Sequence, residues 1–159
     1  QEKSDSAASS DSESSSNTTG YDVSGVTKDD DIAAMLPESV TKDGKLTVGM
    51  DTSYAPAEFL AEDGKTPVGF DVDIAKALAN MFGLEVVPQT EGTLEALGED
   101  VGVTKEAVAI KKGDSDTAKA VQAALQKLMD DGTYVKILKH WGVENGAIDK
   151  AEINPTDLG

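Results

Sequence analysis

Residues 45–83 read KLTVGMDTSYAPAEFLAEDGKTPVGFDVDIAKALANMFG, and the fold is decided here. Leu46, Val48 and Met50 alternate with polar or small residues, the period of a strand with one buried face, so 45–50 is predicted as a strand. From Asp71 to Phe82 the period changes to helical, with Ile74, Leu78 and Met81/Phe82 on one stripe and Asp71 placed as N-cap. Gly83 supplies the left-handed stop, and Leu84–Val87 follows as a second strand. A strand–helix–strand unit of this kind gathers ligands beyond the carboxyl ends of its strands, a place filled here by Asp51, Thr52, Ser53 and Tyr54. Between loop and helix, Glu58–Leu60 and Pro67–Phe70 flank Glu62–Lys65, whose Asp-Gly pair predicts a hairpin.

The whole chain has 159 residues, enough for one small domain and a tail, and a formal net charge of −16. Such a surface repels nucleic-acid phosphates and anionic lipid, so neither is expected as a partner. With no cysteine, disulfides, thiolate chemistry and cysteine-ligated zinc are excluded, and a single histidine leaves no cluster for a metal. All 14 basic residues are lysine. Without arginine, a carboxylate or phosphate can be met by a point charge but not by a bidentate clamp. No apolar run reaches the length of a membrane span.

Working outward, residues 1–28 show no apolar periodicity, and eight of the first 20 are serine. Such a segment buries too little surface to offset its chain entropy, so it is expected to be a disordered Ser-rich tether. No signal peptide is legible, and a start at Gln1 reads as that of a processed chain. Residues 29–159 are expected to form a single α/β lobe, with 45–88 and 106–142 as core and 89–105 as a join. A short helix is predicted within Asp29–Val40, stopped by Pro37. Ala107–Lys111 reads as a third strand. A helix follows over Thr117–Asp130, with Ala118, Val121, Leu125, Leu128 and Met129 on one side. Thr133 is expected to cap a last helix, with Tyr134, Ile137, Leu138 and Trp141 inward, and a weak helical piece is expected near Lys150.

No Walker loop, dinucleotide fingerprint, calcium loop or zinc spacing occurs. The acidic strings Asp29–Asp31, Asp71–Asp73 and Asp114–Asp116 are read as helix caps. His140 lies off the apolar stripe and reads as an exposed helix residue, while Trp141 reads as core. An enzyme would need an acid–base pair in one cleft, and nothing assembles one, so no catalytic residue and no cofactor is predicted. The Asp51–Tyr54 loop has two readings. Tyr54 offers a flat face and Asp51 an acceptor pair for a cationic group, or the loop is simply capped and Tyr54 covers the sheet end.

The run from Lys45 to Val87, together with AVAIKKGDSDTAKAVQAALQKLMDDGTYVKILKHWGV over 107–143, resembles the extracytoplasmic solute-binding proteins of polar amino-acid ABC importers, the family 3 type. Order, spacing and turn residues agree over about half the chain. The resemblance implies the first lobe of a type II periplasmic-binding-protein-like fold, a small three-layer α/β sandwich. It implies that Tyr54 stacks on a ligand side chain, that Asp51 contacts a polar or cationic one, and that Phe59 lines or supports the cleft. Asp71 would be structural. ABC permease subunits are the implied partners. The Ser-rich start resembles the tether of Gram-positive lipoproteins, which implies an extracytoplasmic, cell-surface or periplasmic location with any lipid anchor outside this chain.

Between Val87-Pro88 and the closing helices, most of a second lobe has no counterpart, so the chain reads as shortened. An intact site at about micromolar affinity corresponds to roughly −8 kcal/mol. Losing two or three charge-assisted hydrogen bonds, each worth roughly 1.5–3 kcal/mol, leaves millimolar binding or weaker. Weak or impaired amino-acid binding is therefore the expectation. The alternative is a lobe that binds no solute and acts as an interaction or self-associating module, through a patch of Tyr54, Phe59 and Phe70.

Overall fold

A computed structural model describes residues 19–50, 53–89 and 113–153. Alternation in the opening stretch produces β1 (Lys45–Gly49), whose Leu46 and Val48 are half-buried and which leads into a buried Met50. It pairs in parallel with β5 (Glu85–Gln89), Lys45 opposite Glu85 and Gly49 opposite Gln89. Parallel neighbours need a long crossover. That crossover contains a three-stranded antiparallel sheet and then the helix α3 (Phe70–Phe82).

The small sheet consists of β2 (Ser53–Tyr54), β3 (Glu58–Leu60) and β4 (Pro67–Val68). The β3–β4 hairpin matches the Asp-Gly expectation. Asp63 closes its turn by accepting from the Lys65 and Thr66 amides at 2.8 Å each. These bonds, with the Thr66 hydroxyl first among them, hold the exposed Asp63 carboxyl below the usual range. β2 was expected as irregular loop. Two residues of strand carry no readable period, and the pairing of Ser53 with Phe59 is what makes them one.

Helix α3 is the middle layer. Val72 and Ala75 face the parallel strands, packing with Val48, Met50 and Val86. Ala77, Leu78, Met81 and Phe82 face the other way, toward α1 (Asp30–Ala33), α4 (Ser115–Asp130) and α5 (Thr133–His140). The layers thus run sheet, α3, outer helices, in a mixed α/β structure. A helix covered on both sides needs more than one stripe, and small residues supply the rest. Ala77 and Ala79 are as buried as the large residues, whereas Ile74, placed on the predicted stripe, is only half-buried. In α4 the buried set is likewise Ala120, Val121, Ala124 and Leu128.

Gly69, not Asp71, is the N-cap of α3, with φ 133° and ψ 175°. The reason is a close backbone crossing. A Cβ on Gly69 would lie 2.1 Å from the Ala57 carbonyl oxygen, and next to it the Phe70 and Asp71 amides donate to Pro56 and Ala57 at 3.1 and 3.0 Å. The hairpin is thereby tied directly to the helix start. Gly83 ends the helix in the left-handed conformation, as expected. Asp29 and Asp114 do cap, accepting from Asp31 and Ile32 and from Thr117 respectively. The last helix starts after a left-handed Gly132 rather than a capping Thr133.

Three further expectations change. The predicted helix within Asp29–Val40 is two single turns, α1 and α2 (Glu38–Thr41), because Pro37 starts the second as its N-cap as well as stopping the first. In place of a helix near Lys150 there is a short 3-10 turn at Glu144–Gly146. Beyond it a chain segment is pinned to α4: Gln126 bonds the Asp149 carbonyl and the Ala151 amide, and Gln122 bonds the Ala151 carbonyl. Finally, the expectation of an unstructured tether through residue 28 does not hold for residues 19–28. Residues 19–28 lie along α3, with Val23 buried and its carbonyl held by Asn80 at 3.1 Å, because Tyr21, Val23 and Val26 have apolar partners there. The strand expected at Ala107–Lys111 and nearly all of the 89–105 join lie outside the described residues.

Two outcomes follow from this packing. Gly69→Ala should lower the unfolding free energy by about 2–3 kcal/mol, read by urea titration, since strain and a backbone clash coincide there. Asp29 also forms an ion pair with Lys127 of α4. That contact first, then the Ile32 amide, holds its carboxyl below the usual carboxylate range. With a folded pKa below the unfolded one, the contact stabilises fully above about pH 4 and is lost as pH falls through the folded value. Acid unfolding of Asp29→Asn should accordingly show a shallower decline below about pH 4 than the parent chain.

Candidate functional site

The candidate site sits where β1 and β5 end. Met50 leaves β1 toward the loop that carries Asp51, which lies outside the described residues. Tyr54 is placed by its backbone on β2, opposite Glu58, and its side chain is not among the described parts. Phe59 is fully placed. It is half-buried on β3 and meets Trp141 edge to face, with ring centroids 5.6 Å apart. Phe70 packs at the margin of the main core. Of the patch expected from Tyr54, Phe59 and Phe70, the two phenylalanines are half-buried, Phe59 against Trp141 and Phe70 against the main core.

Beside the strand ends a recess of about 170 Å³ is lined by Met50, Thr66, Pro67, Val72, Lys76, Val86 and Pro88. It is apolar apart from Thr66 and Lys76, and smaller than the several hundred Å³ that enclose a typical small-molecule ligand. A lysine at its wall suits neither an ammonium nor a guanidinium. A shallower hollow of about 360 Å³ lies on the other side of Lys76, between Tyr21–Ser24 and Asn80. Phe59 lines neither. Among the described residues no group of three or more His, Cys, Asp or Glu is placed to hold a metal ion, and no helix is long and apolar enough to cross a membrane.

The polar centre of the lobe is Asp73, a residue that sequence reasoning assigned to capping. It lies in the first turn of α3, only 1% exposed. Its Oδ2 accepts from the Tyr21 amide at 2.9 Å and from the Trp141 indole Nε1 at 2.7 Å. Its Oδ1 is buried with no hydrogen-bond partner among the described residues. The aligned amides of the helix start favour a negative charge in that turn. Trp141 is half-buried and anchors the end of α5 to α3 and β3, which refines its expected core role. His140 is exposed, as expected, yet engaged: Nε2 lies 2.6 Å from the Thr19 carbonyl, and the ring meets those of Tyr21 and Trp141. The available signal for Asp73 was its position, one residue before Ile74 on the helix and between apolar neighbours Val72 and Ile74.

Residues 46–105 match the family model of bacterial extracellular solute-binding proteins, family 3. The matched segment opens with β1 and contains the three-stranded sheet, α3 and β5. The arginine-binding protein ArgT of Corynebacterium glutamicum is 36% identical over 70 residues, covering 44% of this chain and 23% of that protein. The chain thus matches about a quarter of that relative's length. Among solved structures, the arginine-bound form of domain 1 from TmArgBP aligns at 24% identity and a TM-score of 0.46. That alignment covers 58% of this chain and 100% of the domain. A polar amino acid ABC uptake transporter substrate binding protein from Streptococcus thermophilus aligns at 22% identity and a TM-score of 0.32, covering 60% of this chain and 25% of that one. Over the segment that begins at β1, the chain is similar to the bacterial extracellular solute-binding proteins, family 3.

Proposed function

We propose that this chain is the amino-acid-binding component of an ABC importer, built on a first lobe, and that its solute is a cationic amino acid of the arginine class. The observation that carries the reading is the 36% identity to a protein named for arginine binding, within a family of solute-binding proteins. The chemistry agrees with it. A net charge of −16 raises the local concentration of cations and opposes anionic solutes. Asp51 offers a carboxylate to a guanidinium or ammonium, and Tyr54, next to it on β2, offers a ring face for stacking. Phe59 acts from behind, setting the hairpin against Trp141.

The affinity is low in this reading. The 159 residues contain no arginine to grip the α-carboxylate, which leaves lysine as a point charge. The Ser-rich segment serves as a tether on the extracytoplasmic side, and permease subunits are the macromolecular partners.

Calorimetric titration with L-arginine, L-lysine, L-glutamine and L-glutamate tests the proposal. Arginine should bind at about millimolar Kd, ahead of glutamine, with glutamate silent. Asp51→Asn should weaken arginine by about tenfold, the loss of one charge-assisted bond, and leave thermal stability unchanged. Tighter binding of glutamate than arginine, or no arginine response at about ten times the expected Kd, would overturn it.

A further inference from the structure

The described N-terminal residues run along α3 as a strap. The Tyr21 amide is bonded to Asp73, the Val23 carbonyl to Asn80, and the Asp29 amide to the Met81 carbonyl at 2.9 Å. At its far end the Thr19 carbonyl meets His140. The hairpin of β3 and β4 reaches the same corner from the opposite side, through Phe59 on Trp141. Strap and hairpin are not neighbours in sequence. They meet at the Oδ2 of Asp73, which receives both the Tyr21 amide and the Trp141 indole, and beside it at His140, whose ring touches those of Tyr21 and Trp141.

We propose that Asp73 and Trp141 couple the strap Thr19–Lys28 to the β2–β4 hairpin, so that the seating of the N-terminal segment sets how firmly the hairpin sits on α3. The coupling arises because the acceptor is shared and buried. Its second oxygen has no bond, among the described residues, to exchange for a lost one. Gly20 covers that oxygen, and a Cβ there would lie 2.6 Å from it. When the strap lifts, water reaches the carboxylate and competes for the indole N–H. Trp141 then loses its fixed orientation, and the Phe59 ring loses the surface it packs on. The same path runs backward, because a coupling free energy is reciprocal. Tension on the N-terminal segment is thereby transmitted to the hairpin, and Trp141 is the positioning residue between them. This is a property of the lobe and holds whether or not the hairpin takes an amino acid.

Residue-resolved amide hydrogen exchange on the full 159-residue chain tests the coupling. The Tyr21 and Asp29 amides report the strap. Those of Ala61 and Phe70, bonded to the Thr66 and Pro56 carbonyls, report the hairpin, and the Asp131 amide in the outer helices is the control. Gly20→Ala perturbs the strap where it covers the Asp73 carboxylate. It should speed exchange at Ala61 and Phe70 about tenfold, the equivalent of one bond to a charged group, with Asp131 unchanged. Phe59→Leu perturbs only the hairpin side and should speed exchange at Tyr21 by a similar factor. In a Trp141→Phe background, which keeps a ring against Phe59 but removes the indole donor, Gly20→Ala should no longer affect the hairpin. Acceleration confined to the perturbed side, equal acceleration of all reporters including Asp131, or an undiminished effect in the Trp141→Phe background would each overturn the proposal.

Discussion

A carboxylate closed off from water at the start of a helix is the constraint on which this lobe depends. Asp73 is 1% exposed, and a charge in that position is tolerable only if fixed donors replace the lost hydration. Two donors arrive from distant parts of the chain, the Tyr21 amide and the Trp141 indole, separated from Asp73 by 52 and 68 residues. The central helix thereby acquires a buried polar point of reference in a largely apolar interface. Apolar packing sets how much surface is buried but leaves helices free to slide. The paired donors specify how the last helix and the N-terminal strap sit on α3, a positional role of the kind best attested for buried polar groups.

The remaining geometry follows from α3. One face carries the parallel strands through Val72 and Ala75, and the other carries the outer helices through Ala77, Leu78, Met81 and Phe82. Its start is tied to the hairpin by the Gly69 crossing and its end to the second strand by Gly83. The candidate solute site therefore hangs from the same helix as the strap. In the proposed function Asp51 and Tyr54 are left for a ligand, while Phe59 packs internally on Trp141.

Much of this was legible in the residues, for identifiable reasons. The strand at Lys45, the hairpin about Asp63-Gly64, the helix ending at Gly83 and the two closing helices each carry a period or a turn residue whose physics is local. What stayed hidden depends on distant partners. A short strand such as Ser53–Tyr54 has no period of its own and exists because Phe59 and Glu58 pair with it. The strap looked like an unstructured tail because Tyr21, Val23 and Val26 are sparse among serines and glycines, and only the groove along α3 gives them something to bury against. Asp73 looked like a cap because acids in a first helical turn usually face solvent. Its burial is decided by Trp141 and Gly20, far away in the chain. Of the candidate site, the place at the strand ends was readable. The contact of Phe59 with Trp141 was not, because the two lie far apart in the chain.

The central claim is that the Asp73 carboxylate holds the lobe together, and equilibrium urea unfolding of Asp73→Ala measures it most directly. Removing the carboxylate leaves the Tyr21 amide and Trp141 indole without their acceptor, each at a cost of about 1–3 kcal/mol. The account predicts a loss of about 3 kcal/mol in unfolding free energy. A loss below about 0.5 kcal/mol, the size of an ordinary surface substitution, would contradict it.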